Sequence, residues 1–395
     1  MLQKRFWKRF SSVLSFLCFS YAMQNADGSG FGIFTQSATS MGQGDAVVAH
    51  TDSPSTIFFN PALMNKLDGT QVELGTTLVI PHREFNSDTP GGDSEMKDEV
   101  FFPSTFYVTH RFNSKVSAGL GVFNPFGLAT DWGDTWEGNS LATKSELTTF
   151  NINPSISFQI TPQLFFGAGL DIIVLDASLS NAGMKFTGDG TGIGYNLGLL
   201  FDITKDISIG ASYRSEVKVD INGQATFTVP IPGSAGKTAI TLPQQVFAGV
   251  SYKGFDPLTL EAGMRWEGWS SFKQLKVELA NGLPLPAQPK DWKDTFALDI
   301  GAQYKLNDTV TLLAGYLYGQ NPVPDSTFEP ALPDSDAHLF CIGTVLNFKS
   351  FSFSLAYDYQ LPEERTKITN LYGSTANGKY SSDMHLLAAS LKYKF

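Results

Sequence analysis

The sequence has little charge, little cysteine and no long apolar run beyond its amino terminus. Only 17% of its 395 residues are charged, against about 25% in an average soluble domain, so ions do not cover most of its surface. Its 2 cysteines, Cys18 and Cys341, are too few for a disulfide framework. With 38 acidic and 28 basic residues the net charge is −10, which argues against nucleic-acid binding. No downstream run reaches the roughly 18 apolar residues of a membrane-spanning helix, which excludes a helical membrane bundle.

The first 22 residues have the pattern of a secretory signal peptide. A basic stretch at residues 4–9 precedes an apolar stretch at residues 10–19, and Ser20 and Ala22 are small residues at the positions that a signal peptidase reads. We therefore predict that residues 1–22 are removed, which leaves one cysteine in the mature chain. An exported protein with a single thiol has no internal disulfide, so its stability must have another source.

Aromatic residues and glycine are abundant, and apolar residues recur with a period of two. The chain has 32 phenylalanines and 37 glycines, which is typical of many short extended segments. Over residues 350–360, for example, Phe351 and Phe353 alternate with Ser352 and Ser354. Successive side chains of a strand point to opposite faces, so each such segment has one apolar and one polar face.

The spacing of the predicted turns favours a membrane barrel over a soluble sandwich. We predict fourteen strands that begin near Gln71, Phe101, Lys115, Leu141, Gln163, Thr191, Asp206, Ala239, Pro257, Asp291, Asp308, Asp336, Ser350 and Asp383. Links after even-numbered strands are short, whereas those after odd-numbered strands, such as residues 181–190, are longer and polar. This alternation is typical of bacterial outer-membrane barrels, in which closure satisfies every backbone group in lipid. The expected fold is all-β, a transmembrane antiparallel β-barrel over residues 71–395. Aromatic residues near strand ends, among them Trp269 and Trp292, are expected to form interfacial girdles.

Residues 23–70 precede the first strand and are rich in Gly, Ser and Thr, with scattered apolar residues. A barrel of this size holds water unless it is plugged, so we predict that this segment is a hatch folded into the lumen. A disordered periplasmic tail is the alternative.

Several short motifs, taken in order, resemble the FadL-type outer-membrane transporters of long-chain fatty acids and aromatic hydrocarbons. The motifs are Gly30-Phe31 through Ser37-Ala38, Met41-Gly42-Gln43-Gly44, Asp52-Ser53-Pro54-Ser55, Asn60-Pro61-Ala62, Asn124-Pro125-Phe126-Gly127-Leu128, Tyr213-Arg214-Ser215-Glu216-Val217, Trp269-Ser270-Ser271-Phe272, Pro322-Val323-Pro324-Asp325 and Pro333-Asp334-Ser335-Asp336. The resemblance covers essentially the whole mature chain. It implies a fourteen-stranded barrel, a small amino-terminal hatch and sideways exit of the substrate through the wall.

The expected partners follow from this resemblance and from the barrel pattern. They are a long-chain fatty acid or another hydrophobic small molecule, outer-membrane lipid and lipopolysaccharide, and the barrel-assembly machinery through the carboxyl-terminal Phe395. We expect a monomer without enzymatic activity or cofactor. A surface adhesin and a general diffusion porin are the alternative functions.

The third strand is predicted to be interrupted at Asn124 and Pro125, because proline cannot donate to the hydrogen-bond ladder. Gly127 makes a bend easy there. A gap in the wall would let an apolar solute leave into the bilayer. The alternative is that Pro125 simply ends the strand at the loop.

Two apolar groups are predicted to contact the ligand, one in the outer loop of residues 127–140 and one in the hatch. The loop residues are candidates for first capture, and the alternative is that they pack on neighbouring loops. The hatch residues either line an inner pocket or anchor the plug. The predicted ligand contacts are Phe31, Ile33, Phe34, Phe123, Phe126, Leu128, Trp132 and Trp136. The predicted hatch and gate residues are Gly30, Asn60, Pro61 and Ala62.

Arg214 and Lys218 are expected to share the polar face of one strand, where they could hold a fatty-acid carboxylate. The alternative for Arg214 is an ion pair that positions the plug. No HExxH motif or cysteine pair indicates a metal site. The acidic segment of residues 325–336 is expected to be a solvated loop, with a divalent-cation site as the alternative.

Overall fold

Fourteen antiparallel strands form one closed sheet in the computed structural model, which describes residues 30–50 and 53–395. The first strand pairs with the second and also with the last, from Gln71 opposite Lys394 to Ser87 opposite Gly378, and this pairing closes the barrel. The predicted all-β barrel is thus confirmed. The predicted signal peptide lies outside the described residues.

The strands are β1 (Thr70–Ser87), β2 (Ser104–Arg111), β3 (Val116–Phe123 and Gly127–Asp131), β4 (Lys144–Gln159), β5 (Leu164–Ser180), β6 (Met184–Asp202), β7 (Ile207–Arg214 and Val217–Phe227), β8 (Ser234–Leu242 and Gln245–Phe255), β9 (Leu258–Glu267), β10 (Thr295–Lys305), β11 (Val310–Gly319), β12 (Ala337–Phe348), β13 (Phe351–Pro362) and β14 (Gly378–Lys394). The helices are α1 (Ala38–Met41), α2 (Thr56–Phe59) and the 3-10 turns Pro61–Lys66, Trp269–Ser271 and Asp325–Thr327. Short loop strands lie at Ser94–Glu95, Gln274–Leu275, Glu278–Leu279, Gln288–Pro289 and Arg365–Lys367.

Each strand has the two faces that the period-two pattern indicates. In β1, Glu73 and Thr77 are buried on the lumen side, whereas Leu74 and Ile80 are exposed on the outside. An apolar outer face and a polar lumen are the expected arrangement for a barrel whose solvent is lipid. Within residues 30–50 and 53–395, no helix has the length and apolarity needed to cross a membrane.

Residues 30–50 and 53–66 lie inside the barrel, and we call this segment the hatch. Side chains cap α1 and the 3-10 turn Pro61–Lys66. The Ser37 hydroxyl accepts a hydrogen bond from the Ser40 N–H at 3.1 Å, and the Asn60 Oδ1 atom accepts one from the Ala62 N–H at 3.1 Å. The amide of Asn60 also donates to the carbonyl of Leu199 on β6 at 2.9 Å. The hatch is thus hydrogen-bonded to the wall that surrounds it.

The hatch backbone lies directly against glycines of the wall. A Cβ atom at Gly210 of β7 would lie 2.1 Å from the carbonyl oxygen of Val48, and one at Gly315 of β11 would lie 2.1 Å from the carbonyl carbon of Gln43. No side chain fits at either position without a shift of the backbone, so these glycines set the distance between hatch and wall.

The link predicted at residues 181–190 is wrong. Strand β6 begins at Met184, and only the turn at residues 181–183 separates it from β5. The glycines at alternate positions from Gly188 to Gly194 face the lumen, where β7 lies across them; a Cβ at Gly192 would be 2.7 Å from the carbonyl oxygen of Lys218. This glycine-rich stretch is thus part of a strand, and its lack of side chains allows β7 to pack closely against it.

Candidate ligand-binding site

The interruption of β3 falls at residues 124–126, and the hatch occupies the place where β2 would continue. The first half of β3 pairs with β2 as far as Val122 opposite Phe106, and the second half pairs with β4. Beyond the end of the β2 pairing, Ile33 N–H donates to the Pro125 carbonyl at 2.8 Å. The N–H of Gly127 donates to the carbonyl of Phe31 at 2.8 Å. The hatch segment therefore fills the gap in the wall as a short additional strand.

Hydrogen bonds from side chains satisfy the backbone at this interruption. Pro125 has no N–H to donate, and the Asn124 Nδ2 atom instead donates to the carbonyl of Thr149 on β4 at 2.7 Å. The Thr149 hydroxyl donates to the Phe126 carbonyl at 2.6 Å and accepts from the Phe126 N–H at 3.0 Å. Specific hydrogen bonds to β4 thus stabilise the interruption of the wall.

Phe31 of the hatch lies at the centre of a buried aromatic cluster. Its ring centroid is 4.6 Å from that of Trp269, 5.6 Å from Trp292, 6.0 Å from Phe126 and 6.2 Å from Phe272. Trp269 and Trp292 were expected in the interfacial girdle, but the long loop that carries them folds into the lumen and buries both.

Trp132 and Trp136 are buried and do not form an exposed capture surface. Their rings stack at 5.0 Å, and the indole of Trp132 donates to the carbonyl of Pro330 at 2.9 Å. Trp136 packs on Phe85 of β1 at 5.6 Å. Their loop folds inward because these large apolar rings pack against other buried side chains there. This packing agrees with the alternative expectation, in which the loop residues contact neighbouring loops.

An apolar cavity of about 450 Å³ lies beside this cluster on the outer side of the hatch. Phe31 of the hatch and Leu128 of β3 are part of its lining, so the structure brings these two sequence-predicted residues together. The apolar lining also includes Leu147, Phe186, Ile221, Ile240, Phe272, Leu283, Leu285 and Trp292. Ile33, Phe34 and Phe123 are buried elsewhere, and the latter two belong to a separate apolar cluster around Phe58.

Among the described residues, two charged side chains line this cavity, those of Lys290 and Glu329, and they form a buried ion pair with each other. The Lys290 ammonium also lies 3.4 Å from the Gln288 side-chain oxygen and 5.7 Å from the centre of the Tyr372 ring. Neither Lys290 nor Glu329 is among the ligand contacts predicted from the sequence. They lie on different loops, and neither residue is part of a periodic or motif pattern.

Arg214 anchors the hatch, and Lys218 points away from the lumen. The Arg214 guanidinium is 2.5 Å from the Asp171 carboxylate and donates to the carbonyls of Ile57 and Phe58 at 3.1 and 2.9 Å. Lys218 is exposed on the outer face, 3.1 Å from Asp220. The predicted shared face is therefore wrong, because β7 is interrupted at residues 215–216 and the alternation of faces changes phase there.

The remaining predicted gate residues seat the hatch at its two ends. Gly30 N–H donates at 2.8 Å to the carboxylate of Asp334, which lies in the loop between β11 and β12. At the other end, Pro61 begins a 3-10 turn, and the Ala62 carbonyl accepts a hydrogen bond from Ser157 of β4 at 3.0 Å.

Over residues 19–395 the sequence matches the family described as outer membrane protein transport protein (OMPP1/FadL/TodX). The chain belongs to this family. It is 24% identical to the long-chain fatty acid transport protein of Shigella flexneri, over 84% of this chain and 87% of that protein. The fold is similar to that of a FadL homologue of Pseudomonas aeruginosa, with a TM-score of 0.85 at 21% identity over 93% of this chain and 100% of that one. It is also similar to the Pseudomonas putida toluene transporter TodX, with a TM-score of 0.75 at 19% identity over 93% and 99%.

Membership in this family settles the location and the general class of the protein. It is an outer-membrane transport protein, as the resemblance of its motifs implied.

Proposed function

We propose that this protein carries hydrophobic small molecules, long-chain fatty acids in particular, passively across the outer membrane. The observation that carries the proposal is the apolar cavity of about 450 Å³ that lies directly on the hatch. Its volume falls in the range of small-molecule sites, about 300–1,000 Å³. A relative named for long-chain fatty acid transport and a similarly folded toluene transporter support a hydrophobic substrate.

Entry is proposed at the half-exposed apolar side chains of Leu283 and Leu285, which line the cavity from an outer loop. An acyl chain gains about 0.8 kcal/mol for each CH₂ group that it buries. Lys290 is the cation that a carboxylate headgroup would meet in the cavity. The free energy of capture would therefore come from burial of the acyl chain and from the interaction of its carboxylate with Lys290, without any other energy source.

Exit is proposed sideways, through the interruption of β3. The hatch fills the lumen below the cavity, which disfavours a straight path to the periplasm and also a general porin. Phe31 lines the cavity with its side chain and accepts a hydrogen bond from Gly127 with its backbone. Displacement of residues 31–33 would therefore connect the cavity to the lipid beside β2.

The test is uptake of labelled oleate by cells that lack their own fatty-acid transporter, with glucose as the second solute. We expect the protein to restore oleate uptake and to leave glucose uptake unchanged. Removal of residues 30–38 or the substitution Pro125→Ala should change the oleate rate. Pro154→Ala is the matched control, because Pro154 lies on the outer face of β4.

Three outcomes would contradict the proposal. Equal passage of glucose would support a general porin, and binding to host cells without any uptake would support an adhesin. If Pro125→Ala and Pro154→Ala have the same effect on oleate, the sideways route is wrong.

A further inference from the structure

The loop between β11 and β12, residues 320–336, folds into the barrel instead of into solvent. Its residues from Thr327 to Pro330 are buried, as are those from Leu332 to Ser335. The solvated loop expected for residues 325–336 is therefore wrong, because Phe328 and Leu332 belong to the apolar cluster of the lumen. We call this segment the inner loop.

The inner loop supplies the carboxylate that Lys290 binds. Glu329 and Lys290 are both buried, and no other charged residue lines the cavity within the described part of the chain. Removal of one partner from a buried ion pair leaves an uncompensated charge at high cost. A fatty acid could bind Lys290 without that cost, because its carboxylate would take the place of the Glu329 carboxylate, which could then move toward water.

The residues beside Glu329 bind the two parts of the protein that control the proposed exit. The Pro330 carbonyl accepts a hydrogen bond from Trp132, just after β3, at 2.9 Å, and the Ala331 carbonyl accepts one from Thr130 of β3 at 3.1 Å. The Asp334 carboxylate accepts a hydrogen bond from Gly30 of the hatch at 2.8 Å.

The segment that carries Glu329 is held at both ends by one residue. The Arg365 guanidinium donates to the carbonyl of Val323 at 2.6 Å and to that of Asp334 at 2.8 Å. Residues 324–333 lie between these two points. The pair of Glu329 with Lys290 helps to hold the middle of this span in the cavity, together with hydrogen bonds from the Thr327 hydroxyl to the Lys290 carbonyl and from the Asn370 amide to the Phe328 carbonyl.

We propose that Glu329 is an internal carboxylate that competes with an ionised ligand for Lys290, so that binding of a fatty acid releases the inner loop from β3 and from the hatch. The proposal rests on the proposed function, and it deepens that function by assigning a specificity role to one residue. A neutral hydrophobe would enter the same cavity and leave the Glu329–Lys290 pair intact.

The first experiment compares the affinities of oleate and oleyl alcohol for the purified protein in detergent. Glu329→Gln removes the competing carboxylate, so oleate should bind about tenfold more tightly, as expected for one hydrogen bond between charged groups. Oleyl alcohol should bind with unchanged affinity. Glu364→Gln is the control, because it also removes one carboxylate but does so at an exposed site, 2.7 Å from Lys379. In a protein that already carries Lys290→Gln, the further substitution Glu329→Gln should leave the affinity for oleate unchanged.

The second experiment measures the mobility of the inner loop in a protein that retains both Glu329 and Lys290. A spin label at Ser326→Cys, an exposed position of the inner loop, reports the mobility of this loop, while the native Cys341 is buried. Oleate should increase the mobility of the label and oleyl alcohol should not.

The two ligands separate failure of this inference from failure of the proposed function. If Glu329→Gln changes the affinity for both ligands equally, or for neither, the competition is wrong although transport stands. An immobile label in the presence of saturating oleate would likewise overturn the release of the loop. If neither ligand binds or enters, the proposed function itself fails.

Discussion

The guanidinium of Arg214 lies 2.5 Å from the carboxylate of Asp171, and both side chains are buried in the wall of the barrel. The same guanidinium donates to two carbonyls of α2 and lies 4.8 Å from the centre of the Phe58 ring. One side chain thus joins β7, β5 and the hatch.

Replacement of Arg214 by leucine is expected to loosen the hatch. Asp171 would remain as a buried charge without its partner, a change that typically costs about 3–5 kcal/mol. We expect a lower unfolding midpoint in detergent and a larger ionic conductance in planar bilayers. Lys218→Leu, four residues along on the outer face, is the control and should change neither quantity. Equal conductance of the two variants would show that Arg214 does not hold the hatch.

A single methyl group on the wall should also disturb the hatch. Gly210→Ala places a Cβ atom 2.1 Å from the carbonyl oxygen of Val48, and overpacking of this kind costs about 1–3 kcal/mol. The unfolding free energy measured in urea should fall by that amount. At Gly183 the nearest atom to a Cβ is 3.5 Å away, so Gly183→Ala should leave the free energy unchanged. A stable Gly210→Ala protein would mean that the hatch is not seated as described.

The hatch should become less stable as the pH rises. Burial, with the nearby carboxylates of Asp299 and Asp358, raises the pKa of Asp45 from 3.8 to about 8, although Arg265 and Ser40 oppose the shift. The folded protein therefore keeps a proton that the unfolded chain loses, and stability falls with increasing pH between about 4 and 8.

Urea titrations between pH 4 and pH 9 measure this effect on the free energy of unfolding. Asp45→Asn should reduce the pH dependence over that range, because an amide does not titrate. The exposed Asp134→Asn is the control and should keep the slope of the wild type. A slope unchanged by Asp45→Asn would contradict the prediction.

Affinity for carboxylic acids should rise with chain length until the cavity is full. Two additional CH₂ groups contribute about 1.6 kcal/mol, which is slightly more than a tenfold change in dissociation constant. Leu147→Phe fills part of the cavity and should move the best chain to a shorter length in a competition assay. Leu355→Phe, on the outer face of β13, should not. A flat dependence on length would indicate that the chain does not bind inside the cavity.

The sequence was sufficient for the barrel because the alternation of faces is a local property. Phe351 and Phe353 point outward and Ser352 and Ser354 point inward as their spacing indicates. Lys218 faces the opposite side from the predicted one, since the interruption at residues 215–216 changes the phase of the alternation and no local signal in the sequence marks it.

The cavity was less predictable, because loops that are distant in sequence build it. Tryptophans near strand ends, such as Trp269 and Trp292, are typical of an interfacial aromatic girdle. Only the inward folding of their loop places them beside Phe31. The pair of Lys290 with Glu329 depends on two loops at once. Phe31 could be chosen from the sequence because it belongs to a motif, whereas this ion pair belongs to none.

The close seating of the hatch constrains the biogenesis of the protein. Its residues contact strands from both ends of the chain, because the Ala38 N–H donates to the Ser390 hydroxyl of β14 at 3.0 Å and the Ser53 hydroxyl donates to the Glu73 carboxylate of β1 at 2.5 Å. Gly210 and Gly315 leave no clearance through which the hatch could slide after the ring is complete. The amino-terminal segment must therefore already be in place when the seam between the first and last strands is sealed during membrane insertion.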